Sequence, residues 1–130
     1  MTAYLDTALA RSATYSYRVS AFNSGGSSVH SNAATVALVV PAAPANLTAV
    51  VAKRGQVTLN WKDNADNETG FQVERSTNGT VFTVIATTAA NTNTTKYRDV
   101  KARGGQTHYY RVAAKNNIGL SSYSNTVTIP

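Results

Sequence analysis

The feature that most constrains this chain is that it repeats itself. Shifted by 93 residues, Thr2–Asp6 (TAYLD) falls on Thr95–Asp99 (TKYRD), and Thr14–Asn23 (TYSYRVSAFN) falls without a gap on Thr107–Asn116 (THYYRVAAKN). The match continues through Gly26 and Gly119, Ser28 and Ser121, and the SNAAT and SNTVT runs that begin at Ser31 and Ser124. A fixed period means that one structural unit occurs more than once. A unit of about 90 residues is the size of a small domain that can bury its own core. Residues 45–130 supply one whole period, whereas residues 1–40 supply only the last part of another. The chain therefore reads as one complete module preceded by the C-terminal half of a second, with a Pro-containing linker over 41–44.

The pattern inside the complete period is that of strands. Apolar residues nowhere recur at helical spacing for more than a turn, and the β-branched share of the composition favours sheet. Pro41 and Pro44 cannot donate to a ladder, so PAAPANLTA opens an edge strand. In VTLNW, Val57, Leu59 and Trp61 alternate with polar residues and share one face. Asp63–Gly70 is a polar loop. FQVERS then turns Phe71 and Val73 inward and Gln72 and Glu74 outward, and Asn78–Gly79 before VFTVIA reads as a short hairpin turn. Tyr97 begins a short strand; His108, Tyr110, Val112 and Ala114 share a face; Val127 and Ile129 close on the same side. Seven strands with turn signals about every ten residues predict an all-β, antiparallel two-sheet sandwich. The expected core is Trp61, Leu59, Phe71, Val73, Tyr97, Tyr110 and Val112, and by their repeat positions Tyr15, Tyr17 and Val19.

PAAPANLTA, VTLNW, GFQVERSTNG and YYRVAAKNNIGLSSYSN together resemble the fibronectin type III family, especially the bacterial tandem modules of secreted and surface proteins. The resemblance covers the whole chain, with all seven strands in 45–130 and the last three strands in 1–40. It implies an immunoglobulin-like sandwich and a non-catalytic role. The first copy carries the family's tyrosine-corner spacing, Leu9 then Tyr15 and Tyr17-Arg18-Val19. The second has Ala102 and His108 at the equivalent positions.

Chemistry-bearing constellations are absent from the sequence. There is no Cys, which removes disulfides, thiolate metal sites and thiol catalysis. Asp63, Asp66 and Glu68 lie close together but lack the ligand number and loop pattern of a Ca²⁺ site, and read as turn residues. Neither His30 nor His108 has a nucleophile or acid motif beside it, and His108 reads as a core residue in place of Tyr. The six carboxylates form no glycosidase-like pair. Lys101–Gly105 (KARGG) is a basic glycine loop without the strand–loop–helix setting of a phosphate cradle. No catalytic residue, metal site or cofactor is expected.

The net charge of +6 is spread over strands and a loop rather than focused, which fits a mildly basic surface and no nucleic-acid partner. No apolar run is long enough to span a bilayer. Four N-glycosylation triplets, at Asn46, Asn67, Asn78 and Asn93, fall in predicted loops or strand edges. The expectation is a structural spacer of an extracellular or cell-surface array, filamentous if copies join. Its partners are then neighbouring modules or copies of itself through residues 1–40. The alternatives are a glycan- or protein-binding adhesion module, and an accessory module cut from a carbohydrate-active enzyme. Residues 1–40 lack counterparts of VTLNW and FQVERS. Either those strands were lost from a fragment, or another chain supplies them.

Overall fold

Alternation sets the first strand, β1 (Ala13–Tyr17): Ala13, Tyr15 and Tyr17 are half-buried while Thr14 and Ser16 are exposed. The computed structural model describes residues 2–88 and 94–130 and contains two compact units, Met1–Val39 and Val40–Pro130. In the first unit, β2 (Phe22–Asn23) and β3 (Gly26–Ser27) form a short hairpin. Gly26, at φ 129°, makes its turn possible. β4 (Ala34–Leu38) then pairs antiparallel with β1, setting Val36 opposite Tyr15 and Ala34 opposite Tyr17.

Residues 2–10, whose repeat partners include the Tyr97 strand, form no strand. The expected third strand of this unit is therefore missing. The cause is visible in the second unit, where that strand pairs with VTLNW, a segment with no counterpart among the described residues of the first unit. A strand without a ladder partner has unpaired backbone groups and no reason to stay extended.

The second unit is a sandwich. One sheet has the order β5 (Ala45–Val51), β6 (Val57–Lys62), β9 (Lys96–Asp99). The other runs β11 (Leu120–Tyr123), β10 (His108–Lys115), β7 (Gly70–Ser76), β8 (Thr83–Thr87), and β12 (Val127–Ile129) also pairs with β10. β11 and β12 are two stretches of one interrupted edge along β10, so the count of seven strands stands. All the ladders are antiparallel. This is the predicted all-β two-sheet fold.

The two sheets meet in one cluster: Leu47, Val57, Leu59 and Trp61 from one side, Phe71, Val73, Tyr110, Val112 and Ala114 from the other. Trp61 packs edge-on against Phe71, with ring centroids 5.5 Å apart, a favoured aromatic geometry. Its indole Nε1 is buried without a partner among the described residues, so this Trp acts as apolar bulk. Tyr97 is half-buried and packs against the cluster.

Pro41 and Pro44 are buried and grouped with the second unit, and the Asn64 side-chain amide donates to the Ala43 carbonyl at 3.1 Å. Two local features differ from the sequence reading. The β7–β8 connection is wider than a two-residue hairpin. Asn78 Oδ1 accepts from the Thr80 and Val81 amides at 3.0 and 2.9 Å, holding both out of the ladder so that β8 begins only at Thr83. Finally, Glu74 lies on the face of β7 away from the core, yet it is buried, because Gln72, Arg111 and Tyr123 close over it.

Candidate functional site

The repeat is written in hydrogen bonds as well as in residues. The Val19 amide donates to Ser31 Oγ at 3.0 Å, and its counterpart Val112 donates to Ser124 Oγ at 3.1 Å. The Ala21 amide donates to Ser28 Oγ, and Ala114 to Ser121 Oγ, both at 2.9 Å. Asn23 Oδ1 accepts from the Gly25 amide at 2.8 Å, as Asn116 Oδ1 accepts from Ile118 at 2.9 Å. Even the register of β1 on β4 is that of β10 on β12, with Tyr15–Val36 answering His108–Ile129. These Ser and Asn side chains satisfy backbone groups that a broken ladder leaves unpaired. Local sequence therefore builds the same element twice.

The corner residues show one adaptation. Tyr15 Oη accepts from the Ala10 amide at 2.8 Å. At the equivalent place His108 Nε2 accepts from the Arg103 amide at 3.4 Å. The complete module thus keeps the corner in weakened form, with an imidazole in place of a phenol. His108 is buried, and its Nδ1 has no partner among the described residues.

An acid–tyrosine pair also recurs, one to which the sequence alone assigns no role. Asp99, at the end of β9, accepts from Tyr110 Oη at 3.0 Å and from the Lys101 amide at 3.0 Å. Asp6 accepts from Tyr17 Oη at 3.1 Å and from the Ala8 amide at 3.2 Å. In the second unit Arg75 of β7 completes the set, its guanidinium 2.8 Å from Asp99 Oδ2. Arg75 and Tyr110 come from one sheet and Asp99 from the other, so this buried carboxylate ties the two layers together. Burial, with the nearby Asp99 charge and hydrogen bond, pushes the Tyr110 phenol well above its ordinary value. The signal available in the sequence is the identity of Asp6 with Asp99 and of Tyr17 with Tyr110.

On the opposite face, Arg111 pairs with Glu74 at 2.7 Å. Its guanidinium stacks 4.1 Å from the Phe82 ring centre and 3.7 Å from that of Tyr123. Burial alone would raise the Glu74 carboxyl, but hydrogen bonds from Arg111, Gln72 and Tyr123 outweigh it and hold the carboxyl below its ordinary value.

Among the described residues nothing covers the apolar face of the first unit. Tyr17 and Tyr15 are only half-buried, Val19 is 71% exposed and Tyr4 87%. This corrects the assignment of Tyr15, Tyr17 and Val19 to a core: Tyr110 and Val112 are fully buried because β5–β7 cover them, and nothing described covers their counterparts. What remains is an open cavity of about 710 Å³ between Tyr4, Leu9, Tyr17, Val19 and Val36, with Asp6 in its wall. Asn125 holds the first strand of its module by accepting from the Leu47 amide and donating to the Leu47 carbonyl, both at 2.9 Å. Its counterpart Asn32 is exposed.

Of the other residues singled out, Asp63 Oδ1 caps a turn through the Ala65 amide at 2.9 Å. Glu68 Oε2 is buried without a partner among the described residues. Among the described residues no three His, Asp or Glu side chains gather as a metal site. Asn46, Asn67 and Asn78 are exposed, although Asn78 uses its Oδ1 internally and Asn46 sits at φ 53°. Asn93 lies outside the described residues.

No family model matches the chain. Solved structures do. A Fn3-like protein from Clostridium thermocellum is 30% identical, with a TM-score of 0.59, over 69% of this chain and 92% of that one. This chain belongs to the fibronectin type III family. A multidomain fragment of titin matches at 24% identity and TM-score 0.66, over 93% of this chain and 42% of that one. Pectate lyase PelI from Erwinia chrysanthemi, in complex with tetragalacturonic acid, matches at 23% identity and TM-score 0.56, over 64% of this chain and 27% of that one. The chain thus spans less than half of the titin fragment and of the lyase, and these two likenesses concern fold alone.

Proposed function

We propose that this chain is a non-catalytic structural spacer of an extracellular or cell-surface array, and that residues 1–40 are the C-terminal half of a module through which it engages neighbouring modules or copies of itself. One observation carries the reading. The first unit reproduces the strand pairing and side-chain hydrogen bonds of β10–β12, yet leaves their apolar face open. A two-stranded piece with one apolar face is marginal in water, and an open edge invites pairing. Head-to-tail completion propagates as a filament rather than closing as a dimer. The extracellular setting rests on the resemblance to bacterial modules of secreted and surface proteins. Light scattering across a dilution series tests the reading. Concentration-dependent assembly supports it, and a monomer at every concentration removes engagement between copies.

The likeness to part of a pectate lyase favours a second reading, an accessory module of a carbohydrate-active enzyme. Retardation of the purified chain in gels containing polygalacturonate supports that role, and unchanged mobility argues against it.

A further inference from the structure

We propose that loops 52–56 and 100–107 form a cationic end of the second unit that binds an acidic polysaccharide, with Lys53, Arg54, Lys101 and Arg103 as its anion-binding side chains. The inference goes beyond both readings above, since a spacer and an accessory module can each carry such a surface.

The two cation pairs are far apart in the sequence, and the fold brings their loops together. β5 turns into β6 through 52–56, and Val57, the first residue of β6, stands opposite Asp99, the last of β9. Loop 100–107 therefore leaves from the same end of the sheet. The loops meet backbone to backbone: a Cβ on Gly55, which sits at φ 73°, would stand 2.5 Å from the Gly104 nitrogen. Both loops are pinned. The Ala52 amide donates to the Gln56 carbonyl at 2.7 Å, and the Lys101 amide donates to Asp99 Oδ1 at 3.0 Å. Ala102 is buried between the exposed Lys101 and Arg103, and Lys53 and Arg54 are exposed as well. A backbone already fixed beneath exposed cations lowers the ordering cost of binding.

No carboxylate of the second unit balances these cations. Asp99 and Glu74 are held by Arg75 and Arg111, at 2.8 and 2.7 Å. Asp63, Asp66 and Glu68 lie in the loop that follows the far end of β6. That strand carries the chain about 17 Å, roughly twice the screening length of about 8 Å in physiological salt. The basic end is therefore an uncompensated field that attracts anions.

The surroundings of the charge narrow the occupant. Neither loop holds an aromatic residue, so the loops offer no stacking platform for single-stranded nucleic acid. Two short loops also cannot fill a major groove as a helix or ribbon does. They offer instead two Arg forks suited to carboxylate or sulfate, and the exposed Gln106, whose amide can bond sugar hydroxyls. A chain of sugars bearing acidic groups presents both kinds of partner.

The test is affinity electrophoresis of the full chain in gels containing polygalacturonate, dextran sulfate or neutral dextran. Retardation by at least one polyanion and none by dextran is expected, and the two polyanions tell carboxylate from sulfate recognition. Lys53→Glu/Lys101→Glu should weaken binding by roughly tenfold or more, as for lost hydrogen bonds between charged groups. Lys62→Glu/Lys96→Glu imposes the same change of net charge at exposed positions near the other end of the sheet. It should alter binding by no more than about twofold, because those sites lie beyond the screening length. All four substituted residues are exposed, so both variants keep the fold. Equal weakening by the two variants would reduce the effect to net charge and overturn the proposal, as would unchanged mobility in both polyanions. Tighter binding to single-stranded DNA gives the surface to nucleic acid and overturns it too. Retardation by polygalacturonate that ignores Lys53 and Lys101 leaves the accessory reading standing and this surface wrong. Retardation by dextran sulfate alone, under the control of those residues, does the reverse.

Discussion

The β1/β4 pair of the first unit and the β10/β12 pair of the second are nearly the same structure with opposite fates. Both carry Tyr-Arg-Val, the same Ser caps on the following amides and the same Tyr–Asp hydrogen bond. Yet Val112 is fully buried and Val19 is 71% exposed. Strand, turn and cap are properties of the local sequence. Burial belongs to whatever covers the strand, here β5–β7, which have no counterpart among the described residues of the first unit. Identical residues should therefore differ in energetic weight between the two units, and each difference can be measured.

The largest effect should come from Trp61→Ala. Removing a buried aromatic costs about 3–5 kcal/mol, and β6 is the covering strand that distinguishes the units. Chemical denaturation followed by backbone amide signals should show the second unit destabilised and the first unchanged. Trp61→Phe should be much milder, since the indole N–H has no partner to lose among the described residues.

Next is Asp99→Ala set against Asp6→Ala. Removing Asp99 strands the Arg75 guanidinium and the Tyr110 hydroxyl between the sheets, at a cost of roughly 3 kcal/mol. That figure is an upper bound, because the Arg75 side chain keeps 24% exposure. Asp6→Ala in the isolated chain removes a bond that water can replace, and the denaturant midpoint of the second unit should not move.

Smaller again is the pair Ser121→Ala and Ser28→Ala. The first leaves the buried Ala114 amide unsatisfied, worth about 1–3 kcal/mol. The second exposes the Ala21 amide to solvent and should stay within about 0.5 kcal/mol. Equal effects would show that the first unit is as well covered as the second.

pH should separate the units more gently. The folded Glu74 carboxyl lies below its ordinary 4.5, so its stabilisation is present above that value and fades as pH falls through the lower folded one. The Tyr110 phenol is raised from its ordinary 10.0, so its contribution is present below that value and is lost as pH rises beyond it. Glu74 belongs to a strand with no counterpart among the described residues of the first unit, so mild acid should loosen only the second. Denaturant midpoints between pH 3 and 6, read separately for each unit, check this ordering at roughly half-unit pH steps.

The sandwich is legible in the sequence because period two, Gly and Pro punctuation and the repeat all point the same way, as in VTLNW and HYYRVAAKN. Two things are not. The failure of residues 2–10 to become a strand depends on a missing ladder partner, which no local pattern records. The Asp99–Arg75–Tyr110 set joins residues far apart in the chain, and Arg75 looks by alternation like any residue of an amphipathic strand. Its meaning appears only when β7 and β9 lie on facing sheets. Similarly, Glu74 reads as an outward residue because alternation reports direction, whereas its burial depends on Arg111 and Tyr123 folding over it.

The most direct test is native-state hydrogen exchange on two matched amides, Val19 and Val112, in dilute monomeric chain. Each donates to a Ser hydroxyl in the same geometry, so local structure cannot distinguish them. Val112 should exchange only with global opening of the second unit, and Val19 by local opening, faster by several orders of magnitude. Equal, strong protection of both amides in the monomer would contradict the claim that the first unit lacks its cover.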